Sequence, residues 1–217
     1  MTLLDYPGLV ACTVFTKGCN FCCPFCHNAE LLQGNSTPLD TQEVLRYIRE
    51  RSGVIDGVVI SGGEPTLQDG LEDFLREIRR EGLRVKIDTN GSRPDTLAYL
   101  VENRLVNYVA MDIKNAPELY PVTCGAVDLS AVEESRDILL KGSIPYEFRT
   151  TVVKGLHTRE SLMGAAHFIE GARQYFLQQY REVPGADGLS AFTDGEMRDL
   201  LLCVRTVIPS AELRGVE

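Results

Sequence analysis

Phe15-Thr16-Lys17-Gly18-Cys19-Asn20-Phe21-Cys22-Cys23-Pro24-Phe25-Cys26-His27-Asn28 holds four of the chain's seven cysteines within eight residues. It follows directly on the apolar run Leu9 to Phe15, which reads as a buried strand. Cys19, Cys23 and Cys26 are spaced CxxxCxxC, and a short loop with that spacing can turn three thiolates toward one point, as an iron-sulfur cluster requires. Three protein thiolates on a four-iron cubane leave one iron open to a small molecule, much as catalytic metal sites keep one position open.

CxxxCxxC with the aromatic Phe25 before its last cysteine resembles the signature of the radical S-adenosylmethionine (SAM) enzymes. Asp5-Tyr6-Pro7-Gly8 followed by FTKGCNFCCPFCHN resembles more narrowly the glycyl-radical-enzyme activases, especially the activating protein of anaerobic ribonucleoside-triphosphate reductase. The resemblance implies a [4Fe-4S] cluster on Cys19, Cys23 and Cys26, with Phe25 beside the cofactor. It also implies an oxidoreductase that splits SAM and places a radical on a glycine of a partner enzyme, fed by an electron donor such as flavodoxin or ferredoxin. Activation of another glycyl radical enzyme such as pyruvate formate-lyase, or radical chemistry on a small molecule, is the alternative.

Two further readings compete. Cys19-Asn20-Phe21-Cys22 and Cys23-Pro24-Phe25-Cys26 are two CxxC units that suggest a zinc module, with four cysteines or with His27 as a ligand. Zinc ribbons, however, separate their knuckles by a dozen or more residues, and here the knuckles abut. Cys-Pro-Phe-Cys after a strand also suits a thiol-disulfide oxidoreductase, a reading that leaves Cys19 and everything past residue 100 unexplained. Cys22 stands where the resembled family often has a basic residue. Neighbouring side chains of an extended loop point apart, so Cys22 reads as a bystander.

The chain of 217 residues suffices for one domain, 1–217, with a proper core. Its 44% hydrophobic and 24% charged content is that of an ordinary globular enzyme. The formal charge of −9 disfavours nucleic-acid binding. No signal-like start or membrane-length apolar run is present, and clustered, odd-numbered cysteines fit a reducing compartment. The expectation is a cytoplasmic protein with no membrane or nucleic-acid partner.

Along the chain, Asp5-Tyr6-Pro7-Gly8 reads as a type II turn. Gly34-Asn35-Ser36-Thr37-Pro38 breaks the chain, and Asp40 to Glu43 opens a helix as a capping box. Strands are expected at 57–60, 83–87, 105–111, 146–153 and 175–180, with helices at 71–81, from Pro94, at 129–141 and from Thr193. The alternation predicts an α/β fold. Six strand-helix units fall short of the ~250 residues of a closed eight-fold barrel, so a partial (βα)6 barrel follows, as the resemblance also implies.

The second strand runs into Ser61-Gly62-Gly63-Glu64-Pro65, where two glycines permit close backbone approach to a ligand. By resemblance, Gly62, Gly63 and Glu64 hold the SAM amino group. Asp88-Thr89-Asn90-Gly91 and Asp112-Ile113-Lys114 resemble segments of the pyruvate formate-lyase activase. That implies a monovalent cation on Asp88, Thr89 and Asp112, with Asn90 at the SAM site and Lys114 near the SAM carboxylate. Arg149 inside a strand needs an anionic partner: the SAM carboxylate or ribose region by resemblance, or a structural ion pair. The histidine that this activase places near the SAM adenosine is replaced here by Gln178-Gln179-Tyr180-Arg181. Cys124 reads as a plain loop residue, Cys203 as core, and His157 and His167 as structural. All candidate residues fall at the carboxyl ends of strands, where parallel α/β folds bind ligands.

Overall fold

The computed structural model describes residues 1–32, 37–142, 144–183 and 185–216. Gly34 to Ser36 of the expected chain break, and Pro184 of the Pro/Gly loop at 181–190, lie outside the described residues. Seven strands, β1 Ala11–Thr16, β2 Gly57–Gly62, β3 Arg84–Thr89, β4 Tyr108–Asp112, β5 Tyr146–Val152, β6 Tyr175–Gln179 and β7 Ala211–Arg214, lie side by side in chain order. Every neighbouring pair is parallel. β1 and β7 form the two edges, and among the described residues they do not pair with each other. The result is an α/β partial barrel.

Parallel neighbours require crossovers. These are α1 Ala29–Leu32 with α2 Thr41–Arg49, then α3 Leu71–Arg80, α4 Pro94–Glu102, α5 Tyr120–Cys124 with α6 Leu129–Lys141, α7 Arg159–Phe168, and α8 Asp194–Val204. Their starts are chemically marked. The Asp40 carboxylate accepts hydrogen bonds from the Gln42 and Glu43 N–H groups at the head of α2. Thr158 and Thr193 form reciprocal capping boxes with Ser161 and Glu196. α3 buries Leu71, Leu75 and Ile78, one face at helical spacing, against the sheet.

The sequence pattern predicts six strands, and β7 is the seventh. Its residues Ala-Glu-Leu-Arg bury only Ala211, so no apolar run announces it. The loop at 115–128 likewise contains α5, one short turn of helix opened by Pro121.

Side chains alternate between the two faces of each strand, and the faces differ in chemistry. Val58, Ile60, Val85, Ile87, Val109, Met111 and Phe148 meet the helices in the main apolar core. On the concave face, Tyr6, Ala11 and Val59 form a small apolar cluster with Leu9 and Tyr108 packed against it. Tyr6 reaches it through a Tyr6-Pro7-Gly8-Leu9 turn, with the Leu9 N–H donating to the Tyr6 carbonyl at 3.2 Å and Gly8 at φ 75°. The expected turn therefore also anchors a buried ring. Farther along the same face the lining becomes ionic.

Candidate functional site

The cysteine loop leaves the end of β1 and is pinned at both flanks and at its middle. Gly18, at φ 82°, receives the Glu64 N–H on its carbonyl at 2.8 Å, and the Thr16 carbonyl accepts from the Gly63 N–H at 2.9 Å. The Gln68 side chain donates to the Lys17 carbonyl at 2.8 Å, and Asn28 donates to the Gly62 carbonyl at 3.3 Å. At the loop's middle the Cys22 N–H donates to the Cys124 carbonyl at 2.9 Å.

These bonds require Gly62 and Gly63. A Cβ on Gly63 would stand 1.9 Å from the Gly18 carbonyl oxygen, and one on Gly62, at φ 115°, 2.4 Å from Thr16 backbone atoms. The expected close approach exists, but what it accommodates is the cysteine loop's own backbone.

Glu64 is held from both neighbouring loops. Its carboxylate is 1% exposed and accepts four hydrogen bonds, from the Thr66 N–H (3.1 Å), the Thr66 hydroxyl (2.5 Å), the Thr89 hydroxyl (2.8 Å) and the Asn90 N–H (2.7 Å). Burial raises its pKa against the pull of those donors. Oε1 takes three of these bonds and Oε2 one, and together they tie the β2 loop to the β3 loop. Asn90 continues the tie, its amide donating to Asn20 Oδ1 at 3.0 Å and lying 3.7 Å from Cys19 Sγ.

Asp88 and Asp112 come together as expected, with Arg149 between them. The guanidinium lies 2.8 Å from Asp112 Oδ1 and 3.3 Å from Asp88 Oδ2. Lys86 Nζ closes on Asp88 at 2.5 Å, and Lys114 Nζ on Asp112 at 2.9 Å. Burial alone would raise the Asp112 pKa, but Arg149 and Lys114 outweigh it and hold the carboxyl at about 2. The structural ion pair, one of the two readings of Arg149, is thus formed. At the expected monovalent-cation site, Lys86, Arg149 and Lys114 pair with the two carboxylates, and the Thr89 hydroxyl donates to Glu64.

Below this row Glu147, fully buried, accepts two bonds from Arg214 at 2.9 and 3.0 Å and one from the Tyr108 hydroxyl at 3.1 Å.

The three thiols of CxxxCxxC share one electrostatic environment. The Lys114 ammonium acts on Cys19, Cys23 and Cys26 alike. Burial raises the Cys19 and Cys26 pKa values, whereas a hydrogen bond from Cys124 lowers that of Cys23. Cys22 is exposed. Phe25 is 4% exposed and edge-on to His157 and Tyr180. His157 bonds the Val153 N–H at 3.0 Å and the Lys114 carbonyl at 2.9 Å, a structural role. The residue that sequence reasoning missed is Cys124, 1% exposed and against the cysteine loop.

The donor set fits an iron-sulfur cluster: soft thiols on one pinned loop, a compensating ammonium, and amide donors near sulfur. Among the described residues, no three His, Cys, Asp or Glu side chains converge as ligands of a single metal ion would.

The Radical SAM superfamily pattern matches residues 13–169. The chain belongs to the radical SAM superfamily. A Methanocaldococcus jannaschii protein provisionally named a glycyl-radical enzyme activating enzyme is 30% identical over 226 residues, covering 100% of this chain and 93% of its own. A pyruvate formate-lyase-activating enzyme of Clostridium pasteurianum is 31% identical over 126 residues, 54% of this chain and 51% of that one. Among solved structures, Streptococcus suis SuiB bound to S-adenosylmethionine superposes with a TM-score of 0.78 at 16% identity, over 95% of this chain and 50% of SuiB. That likeness is one of fold, and it places the radical SAM partial barrel over nearly the whole chain. The family implies a [4Fe-4S] cluster and SAM, and no helix among the described residues is long and apolar enough to cross a membrane.

Two outcomes test this architecture. Gly63→Ala forces Cβ into the Gly18 carbonyl and is expected to destabilise the cluster-free protein by about 1–3 kcal/mol; an unchanged urea midpoint contradicts the close approach. Arg149→Met leaves Asp88 and Asp112 short of a cation and is expected to cost about 3–5 kcal/mol. Because the Asp112 pKa is depressed in the folded protein, that contribution is full above the unfolded carboxyl value of about 4 and disappears as pH falls through about 2. Urea titrations of wild type and variant at neutral and acid pH should therefore converge in acid.

Proposed function

We propose that this radical SAM protein is a glycyl-radical-enzyme activase that holds its [4Fe-4S] cluster on Cys19, Cys23 and Cys26. The observation that supports this most is the pinned CxxxCxxC loop at the end of β1, all three of whose thiols lie within the field of the Lys114 ammonium. The cluster, when bound, supplies the electron that splits SAM into methionine and a 5'-deoxyadenosyl radical.

The chain's own residues bind, orient and exclude. Three cysteines leave one iron for SAM. Lys114 places a positive charge where a carboxylate can be met, and its partner Asp112 fixes its direction. Arg149 and Asp88 hold that pair from beneath. Gly62 and Gly63 keep the β2 end against the cysteine loop, so a SAM amino group bound there meets backbone, while Glu64 and Asn90 set the neighbouring loop.

The sheet stays open between β1 and β7, and Phe15 on β1 is 54% exposed. An unclosed barrel suits a macromolecular substrate whose glycine-bearing loop enters from the side. The partner proposed is anaerobic ribonucleoside-triphosphate reductase, from the narrow resemblance of residues 5–28, with flavodoxin or ferredoxin as donor in a reducing cytoplasm.

Anaerobic reconstitution with iron and sulfide, followed by a 5'-deoxyadenosine assay and by electron paramagnetic resonance (EPR) on co-incubated reductase, tests the reading. SAM cleavage with a glycyl radical signal is the expected result. SAM cleavage without that signal on any glycyl radical enzyme would point to a small-molecule substrate. Cys19→Ala is expected to abolish SAM cleavage and Cys22→Ala to leave it intact, since Cys22 is fastened through its backbone; equal loss in both refutes the ligand assignment.

A further inference from the structure

The charged groups of the concave face are paired with one another, but toward the carboxyl ends of β5 and β6 two neutral polar side chains are not. Side chains in register on neighbouring strands face the same way. Thr151 of β5 stands beside Gln178 of β6, and Gln178 beside Arg214 of β7. Arg214 reaches Glu147 on the concave face, so all three look into the barrel. The residues flanking Gln178 look the other way. Leu177 lies in the helix-side core, and Gln179 donates to the Phe192 carbonyl at 2.9 Å and to Asp194 at 3.0 Å at the head of α8. Thr151 and Gln178 are half-buried, and among the described residues neither the hydroxyl nor the amide has a hydrogen-bond partner.

The same two strands support the cysteine loop. Val153 and Tyr180 follow Thr151 and Gln178 by two positions, about 7 Å of strand, and Phe25 packs on both in one buried cluster, with Cys23 against it. Tyr180 also faces the His27 ring, centroids 5.7 Å apart. The two free polar groups therefore lie just inside the barrel from the residues flanking Cys26. Arg214, partly exposed on the edge strand β7, carries their row to the open side.

A hydroxyl and a carboxamide each offer a donor and an acceptor without charge. Their complement is a neutral group that also offers both, and a peptide amide is such a group. Glycine has no side chain, so a protein that must hold a glycine Cα in place can grip only the peptide groups on either side of it. We propose that Gln178, with Thr151 beside it, binds the main chain next to the target glycine of the partner polypeptide and so fixes that Cα at the site. The role deepens the activase reading and rests on it. A ribose hydroxyl of SAM presents the same neutral donor-acceptor chemistry, but the row runs to the open edge, where a polypeptide enters.

Wild type, Gln178→Leu, Gln178→Met and Thr151→Val are reconstituted anaerobically and matched for iron content and visible absorbance. Each is given SAM, reductant and either anaerobic ribonucleoside-triphosphate reductase or pyruvate formate-lyase, whichever the wild type activates. Glycyl radical is counted by EPR and 5'-deoxyadenosine by chromatography, at increasing SAM. Both Gln178 variants are expected to lose about tenfold in glycyl radical formed per deoxyadenosine, the effect of leaving one peptide hydrogen bond unmade. Thr151→Val is expected to lose less, and the losses persist at saturating SAM. Leu and Met differ in shape, so either Gln178 variant that folds suffices. An unchanged ratio, or a loss that excess SAM restores and that therefore places the amide on the nucleoside, overturns the role of Gln178 and leaves the activase reading standing. A wild type that cleaves SAM but forms a glycyl radical on neither enzyme overturns both.

Discussion

The cysteine loop hangs on a contact between two backbones. Gly62 and Gly63 bring the end of β2 so near to Thr16 and Gly18 that no side chain fits between them, and the space is spanned by the Gly63 and Glu64 N–H bonds. Without that approach the start of the loop would lose its backbone bonds to the end of β2, and a loop without regular structure is otherwise mobile. The buried Glu64 carboxylate extends the anchorage to the β3 loop through Thr89 and Asn90, and Asn90 returns it to Asn20 and Cys19. Three consecutive strand ends therefore act as one rigid rim, as a site that must hold reacting groups in register requires.

Beneath that rim the concave face of the sheet is ionic where an ordinary barrel would be filled with aliphatic side chains. Lys86, Arg149, Lys114 and Arg214 are set against Asp88, Asp112 and Glu147. Buried pairs of this kind contribute little net stability, because desolvation offsets attraction, but losing one member is costly. Their consequence is orientation and sign. Cations outnumber carboxylates, and the terminal cation, Lys114, is the one that faces the thiols.

Much of this was legible in the sequence because the fold repeats one short grammar. Apolar runs such as Gly57 to Ile60 and stripes such as Leu71, Leu75 and Ile78 show their period, and α6 spans the expected 129–141. β7 was not legible, since an edge strand half open to solvent needs no apolar pattern. At the site, spacing disclosed Cys19, Cys23 and Cys26 because their chemistry is local. The partners of Glu64, Arg149 and Cys124 were not legible, for one shared reason. Each is defined by partners far along the chain, and sequence reveals a residue's charge or thiol without revealing which groups already satisfy it.

Burial of the thiols has a consequence for how the site can be loaded. Raised pKa values at Cys19 and Cys26 mean that the empty protein keeps these groups protonated, so iron must displace protons as it binds. Lys114 works in the opposite direction on all three cysteines, and Cys124 does so on Cys23 alone. Cys23, the middle thiol of the loop, is pulled below the ordinary thiol value. Each thiol gives up its proton as its sulfur binds metal. The polar lumen is therefore more than a scaffold: by holding a positive charge near sulfur, it favours the deprotonated thiolates that a metal needs.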